Sequence, residues 1–172
     1  MSQLPWYGCI LLGMAGGAVW GAIPGICKAL FNVNEVITSI MFNWIGLFAA
    51  NLFLYNSPQM LANAWGAINK DRTAALSAAN PGAILPKMGM DQAMGSNYMN
   101  IAIFIAIIAA FIMWYVLQKT TFGYELKACG YNRNASRYAG INDKRNIVLS
   151  MVIAGALSGI GGALYYMSGT GQ

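Results

Sequence analysis

The chain has 172 residues, of which 58% are hydrophobic and only 9% charged. A soluble domain carries roughly 25% charged residues, so this composition cannot cover a water-facing surface. Ten Lys and Arg stand against five Asp and Glu, with no His, and no paired carboxylates or phosphate-loop motif occur, so an enzyme acting alone lacks its groups.

The first apolar run, residues 6–27, contains no Asp, Glu, Lys or Arg. Runs of about 18 or more apolar residues read as membrane-crossing helices. Their continuous apolarity, rather than a weak alternation over about 10 residues, excludes barrel strands. No basic residue precedes Lys28, so the basic start of a secretory signal is missing. Gly13, Gly17, Gly21 and Gly25 recur every fourth residue and predict a side-chain-free stripe against which another backbone can pack.

The second run, residues 36–55, is apolar but carries Thr38, Ser39, Asn43 and Asn51. Glu35, Ser39 and Asn43 fall at i, i+4 and i+8 and form a polar stripe, the candidate for a solute route. The same stripe could equally serve hydrogen bonds between helices, worth about 0.6 kcal/mol each. Residues 56–97 form a polar loop in which Pro58, Pro81 and Pro86 exclude a long helix, with a short helix expected around residues 60–68. A third run covers 98–118 and a fourth 146–167, the last repeating the small-residue stripe with Gly155 and Gly159. The fold class is therefore all-α, a polytopic bundle of four membrane-crossing helices forming one domain over 1–172.

Between the third and fourth runs lies a basic island, residues 119–145. Lys119, Lys127, Arg133, Arg137, Lys144 and Arg145 against Glu125 and Asp143 give it a net charge of +4, whereas the long polar loop carries +1. Basic loops stay in the cytoplasm, so the island and the short link 28–35 face inward while the long loop and both termini face outward. An outward N-terminus without retention charges suggests either spans preceding Met1 or a first helix broken at Pro24. Trp6, Tyr7, Trp114, Tyr115, Tyr165 and Tyr166, near span ends, read as an interfacial belt. Cys9, Cys27 and Cys129 fit no zinc spacing and read as small hydrophobes.

Within the island, residues 124–130 can continue the third helix to a stop at Gly130. Asn132 can then cap a second, shorter helix that Gly140 closes. Ala135, Tyr138 and Ala139 share one face of that helix, and Arg133 and Arg137 stand on another. It spans about 10 Å and is too short to be stable alone. A loop that only fixes topology, touching anionic lipid, needs Lys and Arg but not this punctuation of glycines, caps and alanines. The pattern favours a helix that docks on a cytoplasmic protein.

The string "GYELKACGYNRNASRYAGIN" resembles the cytoplasmic coupling loop of ABC importer permeases of the branched-chain amino acid, ribose and nucleoside type. Gly123, Lys127, Ala128, Gly130, Asn132 and Ala135 match in place, as do Ser136, Tyr138, Gly140 and Ile141. Upstream, "GGAVWGAIPGICKALFNVNEVITSIMFNWI" is similar to the nucleoside and simple-sugar branch, through Trp20, Pro24, Lys28, Asn34, Glu35, Met41 and Asn43. The resemblance implies a multi-pass permease subunit in the plasma membrane that moves nucleosides or a related sugar-containing solute and needs no cofactor or metal. ATP hydrolysis would lie in a separate cytoplasmic ABC ATPase. The other implied partners are a second permease subunit, an extracytoplasmic solute-binding protein and membrane lipid, with no nucleic acid. The docking segment would be residues 130–141, drawing on Glu125, Ala128, Gly130, Asn132 and Arg133, and on Ala135, Arg137, Tyr138, Gly140 and Ile141. Members of that family are longer, so the chain reads as partial. The rival expectations are a secondary transporter or channel fragment, which should show an ionisable residue mid-span, and a non-transporting scaffold.

Overall fold

Asparagine side chains accept an orphan backbone N–H at three of the long-helix starts, from Val36, Ala102 and Arg145, while the helix that begins at Trp6 has no side-chain cap. The structure, a computed structural model, describes residues 5–56, 81–86 and 100–168. Helix α1 runs Trp6–Phe31, α2 Glu35–Asn56 and α3 Ala102–Lys119. They are followed by α4 Thr121–Tyr131, α5 Arg133–Tyr138 and α6 Asp143–Met167, and a 3-10 turn covers Pro81–Ala83. All regular structure among the described residues is helical, as the composition predicts. Helices α1, α2, α3 and α6 are each long and apolar enough to cross a membrane. The helix expected around residues 60–68 lies outside the described residues.

The break at Pro24, one of the two alternatives the N-terminus raised, does not occur. Helix α1 is continuous through it over 26 residues, about 39 Å at 1.5 Å per residue. Pro24 and Gly25 are buried there. A missing backbone donor is affordable inside an apolar helix when a neighbouring helix covers the site, and α6 does so through Val148 and Met151 beside Gly25. The helix stops instead at Asn32, whose left-handed backbone (φ 54°, ψ 30°) returns its N–H to the Lys28 carbonyl at 3.0 Å. Asn is one of the few residues other than glycine that accepts this conformation.

The two glycine stripes face each other. A methyl placed on Gly17 would collide with the Gly155 carbonyl oxygen, and one on Gly155 would collide with that of Gly17. One on Gly159 would meet the Gly13 carbonyl, and one on Gly21 would lie 2.7 Å from the Met151 oxygen. Helices α1 and α6 thus touch backbone to backbone along a shared seam. In lipid there is no hydrophobic drive between apolar helices, so close backbone packing of this kind is what holds a pair together. Helix α2 leans on α1 through Trp20, which lies edge-on to Phe42 at 5.9 Å and against Gly46. Neither α2 nor α3 has a buried residue.

At one end of the seam Leu85 crosses over the bundle and packs on Leu164 and Met167, its N–H reaching the Met167 carbonyl at 3.2 Å. Trp6, Ile10, Ile101 and Ile105 close around it. At the opposite end lie the link between α1 and α2, the short helices α4 and α5, and the start of α6. The sequence-level grouping of the link with the basic island is therefore matched in space, because Arg133 reaches Asn32 at 3.2 Å.

Candidate functional site

Thr120 separates α3 from α4. Its extended backbone (φ −113°, ψ 156°) breaks the helix, its hydroxyl donates to the Val116 carbonyl at 2.6 Å, and the same oxygen accepts from Gly123 N at 3.3 Å. Gly123 is buried against the last turn of α3, where a methyl would lie 2.5 Å from the Val116 carbonyl oxygen. Helix α4 does not stop at the expected Gly130 but runs one residue further, to Tyr131. The stop is Asn132, in extended backbone at φ −155°, which ends α4 and caps α5 at once.

The cap of α5 is double. Asn132 Oδ1 accepts from the backbone N–H of Asn134 at 3.0 Å and of Ala135 at 3.1 Å, satisfying two donors that a helix start leaves open. The C-terminus closes with a Schellman motif. Ile141 N–H bonds the Ser136 carbonyl at 3.0 Å, Gly140 N–H bonds that of Arg137 at 3.0 Å, and Gly140 takes φ +80°. A helix of six residues is unstable in isolation, and here both of its ends are fixed by its own sequence. Asn142 then caps α6 through Arg145 N–H at 3.2 Å.

The faces of α5 divide as the sequence predicts, with one difference in what they touch. Arg133 and Arg137 turn inward and share one oxygen of Asp143. Arg133 Nε lies 2.6 Å and Arg137 Nη2 2.9 Å from Asp143 Oδ2. Asp143 is buried, and its charge holds the Arg137 guanidinium above its ordinary value, first through the hydrogen bond. Ser136 is also buried and donates its hydroxyl to the Arg133 carbonyl at 2.9 Å. On the outer face Ala135, Tyr138 and Ala139 are exposed. Tyr138 is 94% exposed and Tyr131 91%. Such exposure is unremarkable for an apolar side chain in lipid, but these two belong to the basic loop, where a fully hydrated aromatic is an unpartnered anchor. Between α4 and α5 runs a shallow cleft of about 510 Å³ walled by Tyr124, Ala128, Ala135 and Ile141.

Gly130 differs from the seam glycines, for nothing lies within 4 Å of a methyl placed there. Glu125 borders the cleft but is tied to α6, its Oε2 accepting from Asn146 Nδ2 at 3.2 Å. Asn146 is 2% exposed and also points at Cys129 Sγ, 3.7 Å away. Three residues that sequence reasoning passed over therefore position the loop: Asn32, Asp143 and Asn146. The usable signal was Asp143 itself, one of five acidic residues, set at a helix start five residues after one helix ends and next to two basic side chains.

The three residues of the α2 stripe differ in what they meet. Glu35 forms an ion pair with Lys28 at 2.5 Å across the α1–α2 corner, while Ser39 and Asn43 are exposed. Among the described residues all three cysteines are free and half-buried.

The family model for the branched-chain amino acid transport system permease component matches residues 1–172. The nucleoside ABC transporter permease protein NupB of Lactococcus lactis is 43% identical over 156 residues, covering 91% of this chain and 42% of that protein. The guanosine ABC transporter permease protein NupP of Bacillus subtilis is 37% identical over 155 residues, covering 90% and 41% respectively. The galactose/methyl galactoside import permease protein MglC of Salmonella typhimurium is 28% identical, covering 95% and 44%. No solved structure matches. The chain thus spans about two fifths of the length of these relatives. With a match along its whole length and four helices able to cross a membrane, it belongs to the family of branched-chain amino acid transport system permease components.

Proposed function

We propose that the chain forms part of the membrane-crossing subunit of an ATP-driven importer for nucleosides in the plasma membrane. Helix α5 with its flanks, residues 130–141, docks on a cytoplasmic ATPase that does the hydrolysis. The observation that carries this reading is the outer face of α5. Ala135, Tyr138 and Ala139 are exposed, the helix is fixed at both ends by Asn132 and Gly140, and a cleft lies alongside. Small residues flanking a hydrated tyrosine suit a groove in a protein better than a lipid surface, which would reward the basic side chains. Arg133 and Arg137 are turned away from that surface toward Asp143, so their part is to brace the helix.

The nucleoside assignment rests on the similarity to the nucleoside and guanosine permeases at 43% and 37% identity. Family membership supports a second permease subunit and an extracytoplasmic binding protein as the further partners. The excess of basic residues in the island supports a cytoplasmic side for α4 and α5, with the long polar loop proposed to lie on the other side. Glu35, Ser39 and Asn43 stay as the proposed solute route, with Glu35 also serving as the corner brace to Lys28.

The test is affinity co-purification of the ATPase with the reconstituted protein, wild type against Ala135→Arg. Ala135 is exposed, so the variant folds, and ATPase recovery should fall by more than about tenfold, the effect of a charge forced into a packed interface. Equal recovery with both proteins would sink the docking assignment. For the solute, uptake of labelled guanosine should depend on this protein and resist competition by galactose. Galactose-sensitive uptake would reassign it to the sugar branch.

A further inference from the structure

We propose that Asp143 is the latch that fastens α5 to the α1–α6 pair, the residue through which a displacement of the short helix reaches the membrane-crossing helices. The inference rests on the docking reading of α5 and adds to it the positioning residue that makes docking consequential.

Helices α5 and α6 meet at this one carboxylate, and the end of α1 is one hydrogen bond further on. It is the first residue of α6, where a negative charge complements the helix dipole. It accepts from Arg133 and Arg137, one turn apart on the inner face of α5, at 2.6 and 2.9 Å. Arg133 continues to Asn32 Oδ1 at 3.2 Å, and Asn32 is the left-handed cap that ends α1. Among the described residues these are the only ion pairs made by α5. The α1–α6 seam has no slack, since backbone meets backbone at Gly17 and Gly155. A push on α5 is therefore delivered to two helices that can move only together.

The side chains differ in exposure in the way a latch requires. Asp143 is 5% exposed while Arg137 keeps about half its side chain in water. Removing the carboxylate leaves two guanidinium groups facing each other with no counter-charge, which drives the inner face of α5 apart. The cap at Asn132 and the Schellman turn at Gly140 are untouched, so the short helix survives but loses its fixed attachment.

The experiment uses the full protein in lipid nanodiscs, cysteine-free except for spin labels at Phe31→Cys and Tyr138→Cys. Wild type should give one narrow distance distribution and Asp143→Asn a broad one, while Asp143→Glu restores the narrow one. A distribution for Asp143→Asn as narrow as wild type overturns the latch. In the unlabelled importer, Asp143→Asn should bind the ATPase as wild type does but hydrolyse about tenfold more ATP per solute moved, within the usual range of coupling between sites. Hydrolysis and transport falling in proportion would also overturn it. If wild type binds no ATPase, the docking reading fails, and the latch still stands or falls on the distances alone.

Discussion

The α1–α6 seam and the α4–α5 loop both depend on glycine, and for opposite reasons. At the seam the residue is needed because there is no room: a methyl on Gly17, Gly155 or Gly159 runs into a facing carbonyl. In the loop Gly130 and Gly140 have nothing within 4 Å. Gly140 is fixed by backbone conformation, at φ +80°. Among the described residues Gly130 is fixed by neither space nor conformation, which fits the docking proposed for this loop. The seam glycines answer to contacts within the described residues, whereas the loop glycines lie open, as the proposed docking requires.

That contrast can be broken most severely at the seam. Gly17→Leu should prevent α1 and α6 from meeting, and even Gly17→Ala should cost about 1–3 kcal/mol through overpacking, seen as a lower thermal midpoint in detergent. Next comes Gly140→Ala, which strains the left-handed turn by about 1–2 kcal/mol and should speed hydrogen exchange in α5 while sparing the seam. Asn132→Ala removes the double cap and should cost about 1 kcal/mol, with the same local readout. Gly130→Ala should leave stability unchanged or raise it by up to about 1 kcal/mol, the helix propensity difference. A marked loss of stability there would mean the loop packs against something within this chain after all. Glu35→Gln has the smallest expected effect on stability, because its pair with Lys28 is solvent-exposed. A large fall in guanosine uptake with unchanged midpoint would mark it as part of the solute route.

Much of this was legible in the residues because it depends on spacing. Four-residue glycine periodicity announced the seam, and Asn132 and Gly140 announced a capped short helix. Charge asymmetry grouped the link with the island. What escaped was whatever depends on partners distant in sequence. The alternative of a break at Pro24 could not be decided from the residues, because a proline inside an apolar helix is judged by what covers it, and Val148 and Met151 are far along the chain. The stop expected at Gly130 failed because Asn132, with its cap bonds to α5, ends α4 more decisively than an open glycine. Arg133 and Arg137 read as part of the docking segment, and spacing alone did not show that Asp143 takes both. The α2 stripe was visible as a pattern, but a pattern of polar residues does not say which helix faces it.

The most direct measurement of the central claim is a cysteine cross-linking scan in a cysteine-free background with the ATPase present. Single cysteines would be placed at Ala135 and Ala139 on the outer face of α5 and at Gly161 on α6, where a methyl also meets nothing within 4 Å. Adducts with the ATPase at Ala135→Cys and Ala139→Cys, and none at Gly161→Cys, are the predicted result. Adducts absent from α5, or formed equally at Gly161→Cys, would contradict it.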